Sequence, residues 1–335
     1  MVKIICNTLI VLCFFNANAQ DIKFSQFIST PLAINPANTG TGPGDFRAGA
    51  IYRSQWFGNG FNPYVTASGF YDMTLWSNEK ANNQLGGGIV FIHDNAGNGD
   101  LTNLRILASI AFHKALDANN KHILSLGVGG GYVQKQVNYS NFVFDNQWTN
   151  TGFDNTIATG ETSNSNSISS VDFQAGLKYN AILNDGLNFN IGFSAFHLSQ
   201  PTESILSSNF NKNMKLNTTA RANINLGEKL ILRPSLLNSI SNKVIDSYIG
   251  TLLAIKLSEH KETYNTFYFG GWYEISGNII PMIGLEYAGF NLGISYDINS
   301  YSARKFASGN GSIEISLIYN GFLGKPELSR SGLGL

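Results

Sequence analysis

The sequence predicts an all-β chain, an antiparallel up-and-down transmembrane β-barrel of about fourteen strands with short periplasmic turns and longer external loops. Three observations lead there. Only 13% of residues are charged, against roughly 25% in an ordinary soluble domain. No segment beyond residue 19 holds the ~18 uninterrupted apolar residues of a membrane helix. Apolar and polar residues instead alternate in runs of about ten, as in strands that face lipid on one side and a lumen on the other.

Residues 1–19 read as a secretory signal. Lys3 gives the positive start, Ile4 to Phe15 the apolar stretch, and Ala17-Asn18-Ala19 a small-x-small cleavage site that would leave Gln20 first. The stretch is too short for a comfortable bilayer span, and Cys13 follows Leu12 inside the apolar run, which does not suit lipid attachment. Cys6 and Cys13 would leave with the signal, so no disulfide, thiolate metal site or cysteine nucleophile is expected.

Residues 20–44 form an N-terminal segment of another kind. Pro31, Pro36 and Pro43 each remove a backbone donor, which a spanning strand in lipid cannot tolerate. Phe24, Phe27, Leu32 and Ile34 are nevertheless too apolar for a free tail. The segment is expected to pack against the periplasmic mouth or within the lumen.

The barrel is expected over 45–320. In Phe46 to Trp56, Arg47, Arg53 and Gln55 share the polar face, while Phe46, Ala48, Ala50, Tyr52 and Trp56 face lipid. An arginine turned to the lipid midplane would cost ~2–4 kcal/mol, which fixes the orientation. Strands follow near 63–76, 84–94, 102–114 and 121–135. Phe173, Ala175, Leu177 and Tyr179 then alternate with Asp172, Gln174, Gly176, Lys178 and Asn180. Leu187, Phe189, Ile191, Phe193 and Ala195 answer them, with Asn188 and Asn190 on the lumen side and Asn184-Asp185-Gly186 as a tight turn between. Leu216 to Leu226 places Asn217, Thr219, Arg221 and Asn223 inward, and Gly227-Glu228-Lys229 turns it into Leu230 to Ile240. Further strands fall near 245–257, 264–275, 279–287, 290–298 and 312–320, followed by a periplasmic tail, 321–335.

Connection lengths support this count. Even-to-odd connections, near 77–83, 115–120, 184–186, 227–229, 258–263 and 288–289, are short. Odd-to-even ones include the two longest, 136–170 and 199–215. Short periplasmic turns and long external loops give that asymmetry, and both chain ends are then expected on the periplasmic side. A β-sandwich also alternates, but it would carry more surface charge.

Chemistry by side chains is not predicted. Lys3 leaves with the signal, so 22 basic and 22 acidic residues become 21 against 22, which gives no case for nucleic acid. Asp94 to Asp100 suggests a calcium loop, but Ala96 and Arg105 fall where that loop needs ligands. Gly86-Gly87-Gly88 and Gly127 to Gly131 lack the ending of a phosphate loop, and are read as strand glycines that let the barrel bend or lumen residues pack closely. The five histidines lack metal-ligand spacing. His197 and Ser199 are the one local serine–histidine pair that a barrel phospholipase would need. No enzyme activity and no cofactor is expected. The long polar loop 136–170 carries Phe142, Phe144, Trp148 and Phe153, which either anchor a partner or fold inward as a plug.

Several stretches resemble one family. Phe24-Ser25-Gln26-Phe27, then Pro31-Leu32-Ala33-Ile34-Asn35-Pro36-Ala37 and Gly40, resemble the opening motif of the PorP/SprF family of the type IX secretion system. Tyr52-Arg53-Ser54-Gln55-Trp56 is similar to its first strand, and Ile294-Ser295-Tyr296-Asp297 to its Tyr-Ser-Tyr-Asp signature. Gly311-Ser312-Ile313-Glu314-Ile315 resembles the closing strand, with Ile313 where that family has histidine. The resemblance implies an outer-membrane barrel that helps export or retain a specific secreted surface protein or adhesin, in some members for gliding motility. It implies recognition of the partner through its C-terminal secretion domain, and contact with other secretion components. The competing reading is a passive porin or hydrophobic-solute channel. Arg53, Asp297 and Glu314 are placed on the lumen side near closure. There they form a stabilising ion network or a docking site for an inserted segment.

Overall fold

A computed structural model describes residues 21–57, 62–78, 82–97, 101–138, 144–154, 156–158, 160, 167–203, 211–242, 244–260, 263–299 and 311–323. The alternating segments become β1 (Phe46–Gln55), β2 (Tyr64–Asn78), β3 (Asn83–Ala96), β4 (Leu101–Ala115) and β5 (His122–Gln136). A two-residue ladder, β6 (Trp148–Thr149) with β7 (Gly152–Phe153), lies in the following loop. Then come β8 (Ser167–Asn184), β9 (Leu187–Phe196), β10 (Lys215–Asn225), β11 (Leu230–Ser241) and β12 (Val244–His260). β13 (Thr263–Glu274), β14 (Asn278–Tyr287), β15 (Phe290–Asn299) and β16 (Ser312–Gly321) complete the chain. All but β6 and β7 form one closed fourteen-stranded antiparallel barrel, in which β16 pairs with β1. Closure leaves no unpaired edge in lipid.

The period of two sets which face is which. Phe173 on β8 is 53% exposed and its neighbour Asp172 is 3% exposed, so the lipid and lumen faces read from the sequence are the observed ones. Aromatic clusters mark the outer surface near both ends. Phe46, Tyr71, Tyr319 and Phe290 gather at one end, with ring centroids from 4.6 to 6.0 Å apart. Trp56 and Tyr64, 4.8 Å apart, lie at the other. Such girdles sit at membrane interfaces.

The end at which β1 starts and β16 finishes is here the turn rim, and the opposite end the loop rim. The longest connections, 137–166 and 197–214, are on the loop rim. At the turn rim, Ala288 and Gly289 adopt φ of 50° and 85°, the left-handed pair of a two-residue hairpin. The Asn184-Asp185-Gly186 turn, expected to use positive φ, does not. The Asn184 carboxamide oxygen accepts from the Gly186 N–H at 2.9 Å, and a bulge between Ile182 and Asn184 absorbs the twist.

One further expectation is corrected. The strands begin and end at the turn rim, but Asp21, the first described residue, stands at the loop rim, ion-paired to Arg105 and Lys215. The reason is that residues 21–44 cross the lumen from end to end. The lumen is also not polar throughout. Tyr248, Leu252, Trp272, Ile280 and Met282 turn inward and bury with Phe27 of the N-terminal segment, which supplies the apolar partner that water could not. Leu32 similarly joins Phe70, Val90, Leu107 and Ile318.

Candidate functional site

The N-terminal segment fills the lumen as a plug built from short helical turns. Phe27–Ser29 and Pro36–Asn38 are 3-10 turns, and Pro31–Ile34 is one α-turn. Pro31 and Pro36 occupy first positions, where a missing N–H costs nothing and φ is already suitable. The Asn35 side chain accepts from the Ala37 N–H at 2.8 Å and caps the last turn. The prolines that forbid a strand thus start the plug's turns.

Its upper part is fixed where the barrel closes. Arg53 on β1 and Glu314 on β16 are direct cross-strand partners, and Asp297 lies beside them on β15. Arg53 Nη1 reaches Glu314 Oε1 at 2.6 Å, and Nη2 reaches Asp297 Oδ2 at 2.9 Å. All three are buried. The site thus joins the three predicted network residues, and the plug completes it. The Ser25 and Gln26 backbone N–H groups donate to the two Glu314 oxygens, each at 2.7 Å. The Ser25 hydroxyl donates to Asp297 Oδ2 at 2.8 Å and lies 2.9 Å from Arg53 Nη1. Two carboxylates against one guanidinium leave a net negative seam, and the plug's N–H groups balance it.

Lower down, the plug lies on bare backbone. Asn35 Nδ2 donates to the Leu177 and Phe193 carbonyls at 3.1 and 3.2 Å. That approach requires glycine in the wall. A Cβ on Gly176 would meet the Asn35 amide, and one on Gly127 the Pro36–Ala37 backbone. Nearer the turn rim, His113 Nε2 lies 2.8 Å from the Thr39 carbonyl, while Nδ1 lies 2.8 Å from the Ser125 hydroxyl. The Gly40 N–H donates to Asp72 Oδ2 at 2.7 Å, and Arg47 grips the same carboxylate through Nε and Nη2.

At the loop rim, Asp21 is surrounded by Arg105, Lys212, Lys215 and His197. Lys23 bridges Glu274 at 2.6 Å and Asp246 at 3.3 Å. His197 is buried, with Nδ1 2.5 Å from Asp172 Oδ2. Ser199 donates to the Val171 carbonyl at 2.9 Å, so the serine–histidine pair singled out in the sequence is not joined as a nucleophile and base.

Of the four aromatic residues of the long loop, two form a pair. Trp148 and Phe153 face each other across the β6–β7 ladder with centroids 5.9 Å apart, and both are exposed. Phe144 is half-buried beside the 3-10 turn Asp145–Gln147, and Phe142 lies outside the described residues. Within this loop the Asp154 carboxyl is held below its ordinary range by the Thr156 hydroxyl and backbone N–H. The expected signal and the tail beyond residue 323 also lie outside the described residues. Plug contacts through Ser25, Gln26 and Asn35 were missed by periodicity. Their one sequence signal is their place inside stretches that resemble the family's opening motif.

A family described as "Type IX secretion system membrane protein PorP/SprF" matches residues 16–319. No curated protein matches the sequence. Among solved structures, the P. putida toluene transporter TodX is 12% identical, with a TM-score of 0.48, 87% of this chain and 93% of that chain covered. BamA from Haemophilus ducreyi lacking POTRA domains 1–3 is 13% identical, with a TM-score of 0.42, 83% of this chain and 70% of that chain covered. The translocator domain of the autotransporter NalP from Neisseria meningitidis is 13% identical, with a TM-score of 0.38, 83% of this chain and 88% of that chain covered. At these identities the likeness says nothing about ligand or partner.

Proposed function

Because the chain belongs to the PorP/SprF family of type IX secretion system membrane proteins, we propose that this outer-membrane barrel helps export or hold at the surface one specific secreted protein, and is not a diffusion pore. The observation that carries this reading is the plug. It crosses the lumen from Asp21 at the loop rim to Gly44 at the turn rim, fastened along the way to side chains and backbone carbonyls of the wall. A channel needs an open path, whereas a closed barrel offers its rims and loops to other proteins.

In this reading the loop rim faces outward and the turn rim faces the periplasm. The exposed Trp148 and Phe153 then form an aromatic pair at the surface, suited to the C-terminal secretion domain of the exported partner. Contact with other secretion components falls to the turn rim. The seam of Arg53, Asp297 and Glu314 acts in this scheme as the plug's anchor. Co-purification from native outer membranes with mass spectrometry tests the proposal. Recovery of one secreted protein in stoichiometric amount is the expected result. A barrel that returns with lipid alone would overturn it.

A further inference from the structure

The lumen near the turn rim holds more positive charge than its own carboxylates balance. Arg47, Lys178 and Arg221 line a cavity of about 50 Å³ beneath the plug. Arg47, Arg221 and Arg233 line a second one, of about 390 Å³, which extends to the Tyr287–Phe290 turn. The carboxylates facing this group are Asp72 and Glu286, and both are taken. Asp72 is gripped by Arg47 through two hydrogen bonds of 3.0 and 2.8 Å. Glu286 receives both terminal nitrogens of Arg233 at 2.7 and 3.1 Å. Lys178 and Arg221 remain. Lys178 is 6% exposed, and its ammonium has the Thr41 hydroxyl at 3.4 Å as its hydrogen-bond partner. Arg221 has no carboxylate within ion-pairing distance among the described residues.

A charge withdrawn from water is costly unless it is paired. Lys178 is buried and Arg221, half-buried, faces the same cavity, and neither has a carboxylate within ion-pairing distance among the described residues, so the two call for a counter-charge from outside the chain. Asn190, paired in strand register with Arg221, lines the same cavity and offers it a carboxamide. We propose that the cavity between Lys178 and Arg221 binds an oxyanion of the phosphate class, entering from the turn rim. A guanidinium fork, an ammonium and a carboxamide match a tetrahedral group with several acceptor oxygens and about two negative charges. The larger cavity leaves room for an organic substituent on that phosphate. This inference stands apart from the secretion reading, since it rests on charge and space alone.

Thermal unfolding of the intact protein in zwitterionic detergent tests it. The titrants are inorganic phosphate and, separately, a short-chain phosphatidic acid, at constant ionic strength balanced with chloride. A ligand of the folded state raises the midpoint in a saturable way. Saturation by inorganic phosphate supports a free ion as the occupant, and saturation by the phosphatidic acid alone supports a lipid headgroup. Arg221→Gln and Lys178→Met are each expected to weaken the response at least tenfold. Without phosphate, each should melt no lower than the parent, because a lumen charge without a carboxylate partner is gone. The proposal is overturned if neither titrant gives a saturable rise, if chloride alone matches it, or if both variants respond as the parent does.

Discussion

Arg53 sits where the first strand, the last strand and the plug meet, and its two carboxylate partners also accept hydrogen bonds from Ser25 and Gln26. Removing one member of a buried ion pair costs about 3–5 kcal/mol, because the remaining charge is stranded. Arg53→Met is therefore expected to lower stability by roughly that amount, read from urea unfolding in detergent. Arg53→Lys should rescue little, since a point charge cannot reach Glu314, Asp297 and Ser25 together. A loss below ~1 kcal/mol, the range of exposed pairs, would show that the seam is not desolvated. Arg53, Asp297 and Glu314 were legible in the sequence because each falls on the polar side of an alternating strand. Ser25, Gln26 and Asn35 were not, because a segment of short turns has no period from which a buried face can be read.

At the scale of elements, the plug depends on glycines in the wall. Gly127 and Gly176 are the positions where Pro36, Ala37 and Asn35 touch strand backbone. Valine suits a strand, so Gly127→Val should leave the barrel closed and push the plug out. Asn38→Cys, quiet in the parent, should then react with a maleimide; unchanged reactivity would mean the plug is not seated there. The proposed aromatic pair behaves in the opposite way. Trp148→Ala with Phe153→Ala should leave stability within ~0.5 kcal/mol, yet reduce recovery of the secreted partner at least tenfold. Full recovery would remove the loop from the docking surface. That residues 20–44 break the strand pattern, and that the glycines permit close packing, is legible in the sequence. The link between the two is not, because contact between segments so far apart leaves no mark on local periodicity.

Across the whole molecule, strand number, order and closure were readable because lipid forces every spanning residue to choose one of two faces. The course of the N-terminal segment was not. Counting strands places β1 and β16 at one rim, and says nothing of a chain that first crosses the lumen. If the loop rim faces outward, as proposed, Ile22→Cys should react with an impermeant maleimide on intact cells, and Gly42→Cys at the turn rim should not. The reverse pattern would invert the barrel. Planar-bilayer conductance shows whether the barrel is shut by its own N-terminal segment. The intact protein should pass little steady current, and the form lacking Asp21 to Asn38 should open in large, stable steps. A large steady conductance from the intact chain, unchanged by the deletion, would contradict a plugged lumen.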